Sequence, residues 1–318
     1  MAALAPALVA IVGPTASGKS ALALRIARER GGEIVSCDSL QVYRGLDIGS
    51  AKASLDERAD VPHHLLDVVA PDEAFSAADY ARLARAALAD VAARGRLPIV
   101  AGGSGLYLRA LLDGLFEGPS RDDALRLRLE RLARRFSDRR LHRLLARVDP
   151  AAAAGINAND RVRIVRALEV YWLTGRPITA HHGTASRPLE GFQVFLVGLS
   201  PDRAELRVAV ENRTRQMFAS GLLEEVQAVL AASGGVAPRP LGAIGYRQAV
   251  CVLRGELAAP EAERAIISET MRFAKRQMTW FRHQARVAWF ETPAEAHAAV
   301  LDWLDRLPDP GLGSTRLP

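Results

Sequence analysis

The sequence predicts an α/β fold: a P-loop parallel sheet with helices on both faces, plus a mainly helical inserted domain. Three observations carry this. Short apolar runs alternate with helical stretches, the pattern of parallel strands buried on both faces. One junction reads Gly13-Pro14-Thr15-Ala16-Ser17-Gly18-Lys19-Ser20, the G-x-x-x-x-G-K-S spacing of a phosphate-binding loop. Strand-like runs then stop between residues 119 and 190, where Arg, Leu and Ala recur at helical spacing. The expected division is a core of 1–118 and 191–318 and an insertion of 119–190.

In chain order, ALVAIVG (7–13) is an apolar run ending in glycine and reads as a buried strand. After the P-loop, KSALALRIARER (19–30) reads as a helix stopped by Gly31-Gly32. EIVSCDS (33–39) is the second strand. The helix AADYARLARAALADVAARG (77–95) leads into the third, LPIVAGG (97–103). In the insertion, DDALRLRLERLARRF (122–136) and NDRVRIVRALEVYWLTG (159–175) have helical periodicity. QVFLVGLS (193–200) returns to the sheet, and VAWFE (287–291) is a last strand. Between them, GLLEEVQAVLAAS and ERAIISETMRFAKRQMTWFRHQ read as helices. The tail PDPGLGSTRLP reads as disordered.

The 318 residues suggest about two domains. Hydrophobic residues make up 49%, enough for a packed core, so disorder is not the expected state. No run of 18 apolar residues points to a membrane span. The N-terminal MAALAPALVAIVG lacks a basic region and runs straight into the P-loop, so it reads as the first strand, not a signal peptide. Two distant cysteines, Cys37 and Cys251, read as buried thiols in a reducing cytoplasm, not as a disulfide or zinc framework. The net charge of +6 is clustered. Residues 119–166 hold 13 arginines against 6 acidic residues, and 264–286 hold 6 basic residues against one glutamate. Such clusters suit an anionic partner or a solvated basic face.

The P-loop lies between a strand and a helix, the context in which backbone N–H groups and a helix N-terminus hold phosphate oxygens. Lys19 adds a point charge, and the Ser20 hydroxyl is placed for Mg²⁺. The second acid of a hydrolytic P-loop enzyme is missing. LPIVAGG ends in glycines, and Asp67 in HHLLDV follows too short a run. Asp38 ends the second strand, where open α/β sheets gather their chemistry. It suits metal coordination through water or proton acceptance; a helix N-cap, with Ser39, is the alternative. In AGGSGLYLRALLDG (101–114), Gly102 and Gly103 allow close backbone approach and Ser104 offers a hydroxyl. A plain strand-to-helix turn is the alternative. His63-His64 and His181-His182 have no third ligand in register and read as surface or loop residues. KRQMTWFRHQ interleaves Lys275, Arg276, Arg282 and His283 with Trp280 and Phe281. The aromatics and Met278 read as core, and the charges suit nucleic acid.

Together, GPTASGKS, DSLQVYRGLDIGSAK, PHHLLD, AGGSGLYLRALL, NDRVRIVRALEVYWLTGRP, GLLEEV, AIGYRQA and AKRQMTWFR resemble the tRNA dimethylallyltransferase (tRNA isopentenyltransferase) family. They occur in family order over nearly the whole chain. The resemblance implies transfer of a dimethylallyl group from dimethylallyl diphosphate to N6 of adenosine 37 in tRNAs reading codons that begin with U. The P-loop, Gly13 to Ser20 with Thr15, Lys19 and Mg²⁺ on Ser20, then holds the donor diphosphate with Arg213. Asp38 takes the amine proton. Ser39, Leu40, Gln41 and Ser104 contact the flipped base and neighbouring RNA. Arg128, Asn159, Asp160, Arg161, Val162, Arg163 and Gly242, Ala243, Ile244, Gly245, Tyr246, Arg247 contact tRNA. Ser20 and Ser104 stand where many members have Thr, and both keep the hydroxyl. The chain lacks the zinc finger of eukaryotic members, so it resembles the bacterial type, and nothing demands more than a monomer. The alternatives are a P-loop small-molecule kinase, which needs ATP, an adenylate isopentenyltransferase, and a non-catalytic RNA-binding protein with a relic P-loop.

Overall fold

The computed structural model describes residues 5–116, 118–119, 121–181 and 187–308. His182 and the tail from Asp309 fall outside them. The described residues form two compact units: Met1–Leu112 with Leu189–Pro318, and Asp113–Pro188.

The first unit contains the sheet. Its elements begin β1 (Ala7–Val12), α1 (Lys19–Arg30), β2 (Gly32–Ser36), α2 (Leu55–Asp60), β3 (His63–His64), α3 (Ala77–Ala93), β4 (Leu97–Ala101) and α4 (Gly105–Leu112). The second unit holds α5 (Asp123–Phe136), α6 (Asp138–Val148), α7 (Pro150–Gly155), α8 (Arg161–Thr174) and a 3₁₀ turn at Ile178–His181. The first unit then resumes with β5 (Gln193–Leu199), α9 (Arg203–Ala219), α10 (Leu222–Ala232), α11 (Tyr246–Leu253), α12 (Ala259–Gln284), β6 (Ala288–Phe290) and α13 (Pro293–Arg306).

The six strands among the described residues are all parallel, in the order β3-β2-β4-β1-β5-β6. Five were expected. The sixth, β3, is the His63-His64 pair, which was read as surface or loop. It pairs at the sheet edge with Ile34 and Val35. His64 Nε2 meets Glu33 Oε2 at 2.7 Å, and His63 Nδ1 meets the Val61 carbonyl at 2.7 Å. Edge pairing with two polar side chains leaves no apolar run for a sequence pattern to detect.

The period of two in β1 builds both sides of the core. Leu8, Ala10 and Val12 pack with Tyr80 and Leu88 of α3, Leu108 and Leu111 of α4, and Phe281 of α12. Val9 and Ile11 pack with Leu22 and Ile26 of α1 and with Ala296 and Val300 of α13. Each large aliphatic side chain so buried stabilises the fold by about 1.5–3 kcal/mol. A third cluster joins Leu46 to Leu222 and Val226 of α10 and Tyr246 and Val250 of α11. Cys37 is buried as expected, whereas Cys251 is half-buried on α11.

The helical unit has its own core of Leu129, Leu141, Leu145, Ile164 and Leu168. Inside it lies Glu169, whose side chain is 0% exposed. Its carboxylate accepts from Arg126 Nε at 2.7 Å, Arg126 Nη2 at 2.8 Å, Arg166 Nη1 at 2.6 Å and the Asp122 N–H at 3.0 Å. Asp149, also buried, accepts from Ala152 N–H and from the Thr179 N–H and hydroxyl.

Candidate active site

The C-terminal ends of β2, β4 and β1, adjacent in the sheet, converge on one crevice, the position where open parallel sheets bind ligands. The P-loop leaves β1 at Gly13, where a Cβ would stand 2.7 Å from the Leu199 carbonyl oxygen, so only glycine fits. Ala16 (φ 64°) and Gly18 (φ 86°) are both left-handed. For Ala16 that conformation is strained, as is common in loops that clamp ligands. The first turn of α1 carries no acidic residue, so the positive end of its dipole is not neutralised from within. Lys19 Nζ donates to the Pro14 carbonyl at 2.5 Å, folding the side chain back over the loop. Ser17 Oγ is buried and has no hydrogen-bond partner among the described residues.

Two distant residues tie this loop down. Gln277 of α12 accepts from the Thr15 N–H at 3.0 Å and donates to the Gly103 carbonyl at 2.9 Å, bridging the P-loop to the turn after β4. Arg213 of α9 donates to Thr15 Oγ1 at 3.0 Å. Desolvation, with Arg213 nearby, lowers the Lys19 ammonium to about 8, while Asp38 opposes the shift. Desolvation also lowers Arg213, again opposed by Asp38. Two desolvated cations sharing the influence of one carboxylate leave a positive surplus suited to a polyanion.

Asp38 follows β2. Its Oδ1 accepts from the Leu40 N–H at 2.8 Å, closing a turn, and no helix begins there. The helix-cap alternative is therefore excluded. No other hydrogen bond to this carboxylate comes from the described residues. Ser104 lies at the turn into α4, and its Oγ accepts from the Ser39 N–H at 3.0 Å. A Cβ on Gly102 would collide with the Cys37 carbonyl, which is why the β4 turn can approach β2 so closely. Burial pushes the Cys37 thiol up to about 12, so it is no nucleophile.

These parts line one cavity of about 520 Å³. Thr15, Ala16, Ser17, Gly18, Lys19 and Ser20 form its phosphate-loop side. Asp38, Ser39, Leu40, Gln41 and Ser104 also line it, as do Arg213 and Gly242 to Gly245. Gly13 and Pro14 are buried at the foot of the loop. Tyr246, expected to contact tRNA, is 0% exposed, with its hydroxyl on Glu225 at 2.8 Å. Burial beneath the site denies it that contact. Arg247 pairs with Glu269 at 2.5 Å and does not line the cavity.

Asp67 is not a metal-holding acid. Lys52 (2.7 Å) and Arg58 (2.7 Å) engage both its oxygens. Burial raises its pKa, but these two cations outweigh burial and hold it below the usual carboxylate value. Among the described residues, no cluster of His, Cys, Asp or Glu could hold a metal by itself. No helix among them is long and apolar enough to cross a membrane.

Sequence reasoning missed Gln277, Gly49 to Ala51 and Phe273, which line the same cavity. The motif AKRQMTWFR contained Gln277, but nothing local reveals a partner 262 residues away. Of the three residues expected in the core, Phe281 is buried there, whereas Trp280 and Met278 are half-buried, with Trp280 against Gly105.

The helical unit, taken by itself, presents Arg128 exposed on α5. Asp160 caps α8 by accepting from the Arg163 N–H at 3.2 Å. Arg161 pairs with Asp138 at 2.6 Å, Arg163 with Asp160 at 2.9 Å, and Val162 is 76% exposed between them. Asn159 donates its N–H to Asn157 Oδ1 at 2.9 Å in the turn before α8.

Comparison with known proteins places this arrangement. The chain is 51% identical over 285 residues to the tRNA dimethylallyltransferase of Solibacter usitatus, covering 89% of this chain and 92% of that one. It is 51% identical over 291 residues to the tRNA dimethylallyltransferase of Anaeromyxobacter dehalogenans, covering 92% and 97%. Among solved structures, it resembles the tRNA isopentenylpyrophosphate transferase of Bacillus halodurans at TM-score 0.67 and 37% identity, over 94% of this chain and 97% of that one. A eukaryotic dimethylallyltransferase acting on tRNA shares the fold at TM-score 0.75 and 23% identity, over 98% and 82%. The IPP transferase family pattern matches residues 41–284, and with these relatives it shows that the chain belongs to the IPP transferase family.

Proposed function

We propose that this enzyme transfers a dimethylallyl group from dimethylallyl diphosphate to N6 of adenosine 37 in tRNAs reading codons that begin with U. One observation carries the reading. Among the described residues, a single cavity holds a buried hydroxyl without a hydrogen-bond partner, two desolvated cations and one carboxylate, Asp38, the only acid of those residues that lines it. The cationic side suits a diphosphate leaving group. The lone acid suits a proton acceptor. Asp67 is held by Lys52 and Arg58, away from a role in water activation. The names of the relatives supply the acceptor class.

In the proposed reaction the N6 amine attacks C1 of the donor, the N6–C1 bond forms, and the C1–O bond to diphosphate breaks. The amine proton passes to the Asp38 carboxylate. Lys19, Arg213 and the Thr15 hydroxyl neutralise or bond the charge developing on the diphosphate, and Ser17 Oγ has a free hydrogen-bonding capacity for it. Adenine enters the crevice only when flipped from its stack. The donor set fits Mg²⁺ bound mainly by substrate: the Ser20 hydroxyl lines the cavity at the start of α1 and would hold the ion, and the described residues form no carboxylate cage around it. When bound, the ion supplies further charge neutralisation on the diphosphate. The protein acts in the cytoplasm as a monomer, with Arg128 and Asn159 to Arg163 on its tRNA-contacting insertion.

The test is mass spectrometry of nucleosides from unmodified tRNA incubated with the protein, Mg²⁺ and dimethylallyl diphosphate. ATP replaces the donor in a parallel reaction. A dimethylallyl group on adenosine 37 with the isoprenoid donor alone is expected. ATP consumption on a small acceptor without prenylation would instead assign a kinase.

A further inference from the structure

The segment Asp47–Ala51 lies across the wall of the cavity, where Gly49, Ser50 and Ala51 line it. It is not regular structure, and Ala51 is left-handed (φ 48°), a conformation that needs outside support. One carboxylate fixes the start of the segment. Glu225 Oε2 accepts from the Asp47 N–H at 2.8 Å and the Ile48 N–H at 2.7 Å. Its Oε1 accepts from the Gly49 N–H at 3.2 Å and the Tyr246 hydroxyl at 2.8 Å. Three successive backbone donors thus converge on one anion, a nest filled from within the chain. Tyr246 packs its ring so closely on Gly49 that a Cβ there would collide with it.

From the far end, Lys52 fastens the same segment to Asp47 at 2.5 Å and to the Tyr43 carbonyl at 2.8 Å. The fixed segment in turn holds Gln41. The Gln41 amide donates to the carbonyls of Ser50 (3.3 Å) and Ala51 (3.2 Å), and its Oε1 accepts from Ser36 Oγ at 2.8 Å. Gln41 follows Asp38 by three residues and lines the same cavity.

We propose that Glu225 is a positioning residue. By gathering the 47–49 N–H groups and the Tyr246 hydroxyl, it sets the wall and the Gln41 amide that shape the acceptor side of the cavity, away from the phosphate loop. This rests on the transferase reading above. Its reach is selective, because none of the bonds that fix the P-loop passes through Glu225: those run through Gln277 and Arg213.

The test compares wild type, Glu225→Gln and Glu225→Asp. A glutamine keeps one accepting oxygen and turns an NH₂ donor onto the other pair of donors. In Glu225→Gln, amide hydrogen exchange should quicken at 47–49 while the P-loop and the helices keep their protection. The KM for tRNA should rise or kcat fall by about tenfold, with dimethylallyl diphosphate affinity within about twofold of wild type. Glu225→Asp, which keeps the charge, should recover part of the loss. Unchanged exchange at 47–49, or unchanged tRNA kinetics despite local exchange, would overturn the proposal. So would equal losses for tRNA and donor with exchange raised throughout, since that is plain destabilisation. The exchange measurement needs no substrate, and wild-type turnover is measured first, so failure of the clamp and failure of the transferase reading are told apart.

Discussion

The polar residues around the P-loop and those inside the helical insertion are of the same kinds but end in opposite states. Glu169 in the insertion is surrounded: two arginines and a backbone N–H use both oxygens. Asp149 is equally engaged. In the cavity, the described residues give Asp38 one backbone donor and Ser17 Oγ no partner, and Ala16 is strained. Buried polar groups normally find partners. The insertion obeys that rule and gains a defined helix packing from it. The cavity breaks it, and the broken bonds mark where a ligand's groups are expected to complete the set.

Truncations in the two regions should therefore act on different quantities. The largest effect is expected at Asp38. Asp38→Ala should cut turnover by about 10²–10⁴-fold while tRNA binding by filter retention stays close to wild type. A variant with unimpaired turnover would remove the proton acceptor from the mechanism and with it half of the contrast.

Next is Glu169→Ala, which strands Arg126 and Arg166 and should lower stability in urea by about 3 kcal/mol. The same cluster predicts a pH dependence. Burial raises the Glu169 pKa, but hydrogen bonds from Arg126 and Arg166 outweigh it and bring it from 4.5 down to about 2. A carboxylate depressed on folding stabilises the fold above its unfolded value. The stabilisation should be complete above pH 4.5 and vanish as pH falls toward 2, and Glu169→Gln should flatten that window in acid titrations. An identical acid profile for wild type and variant would show that the cluster is not carrying the charge.

A smaller effect sharpens the comparison most. Ser17→Ala removes a buried hydroxyl with no partner, so unliganded stability should change by less than about 0.5 kcal/mol. Donor affinity by calorimetry should still weaken about tenfold, the worth of one hydrogen bond to a charged group. A clear loss of unliganded stability would mean that the hydroxyl already has a structural partner. The smallest effect is expected for Arg163→Ala on the exposed start of α8. Stability should hold, and the salt dependence of tRNA binding should lose about one unit of log–log slope. An unchanged slope would take Arg163 off the tRNA face.

What sequence alone determined is local. The continuous apolar runs marked β1, β2, β4 and β5, because a strand sends successive side chains to opposite faces and both faces here are core. The G-x-x-x-x-G-K-S spacing fixed the P-loop, because Gly13 and Gly18 permit its turns wherever a strand feeds a helix. Asp38 and Ser104 were legible because each directly ends a strand-like run. Tertiary structure decided the rest. The two-residue strand β3 exists only by pairing at an edge. Tyr246, next to lining residues in sequence, is buried because α11 packs into the cluster around Leu46. The bonds that shape the cavity, Gln277 to Thr15 across 262 residues and Glu225 to Ile48 across 177, join residues that no local period relates. Only chain folding brings them within hydrogen-bonding distance, and a hydrogen bond extends no further than about 3.5 Å.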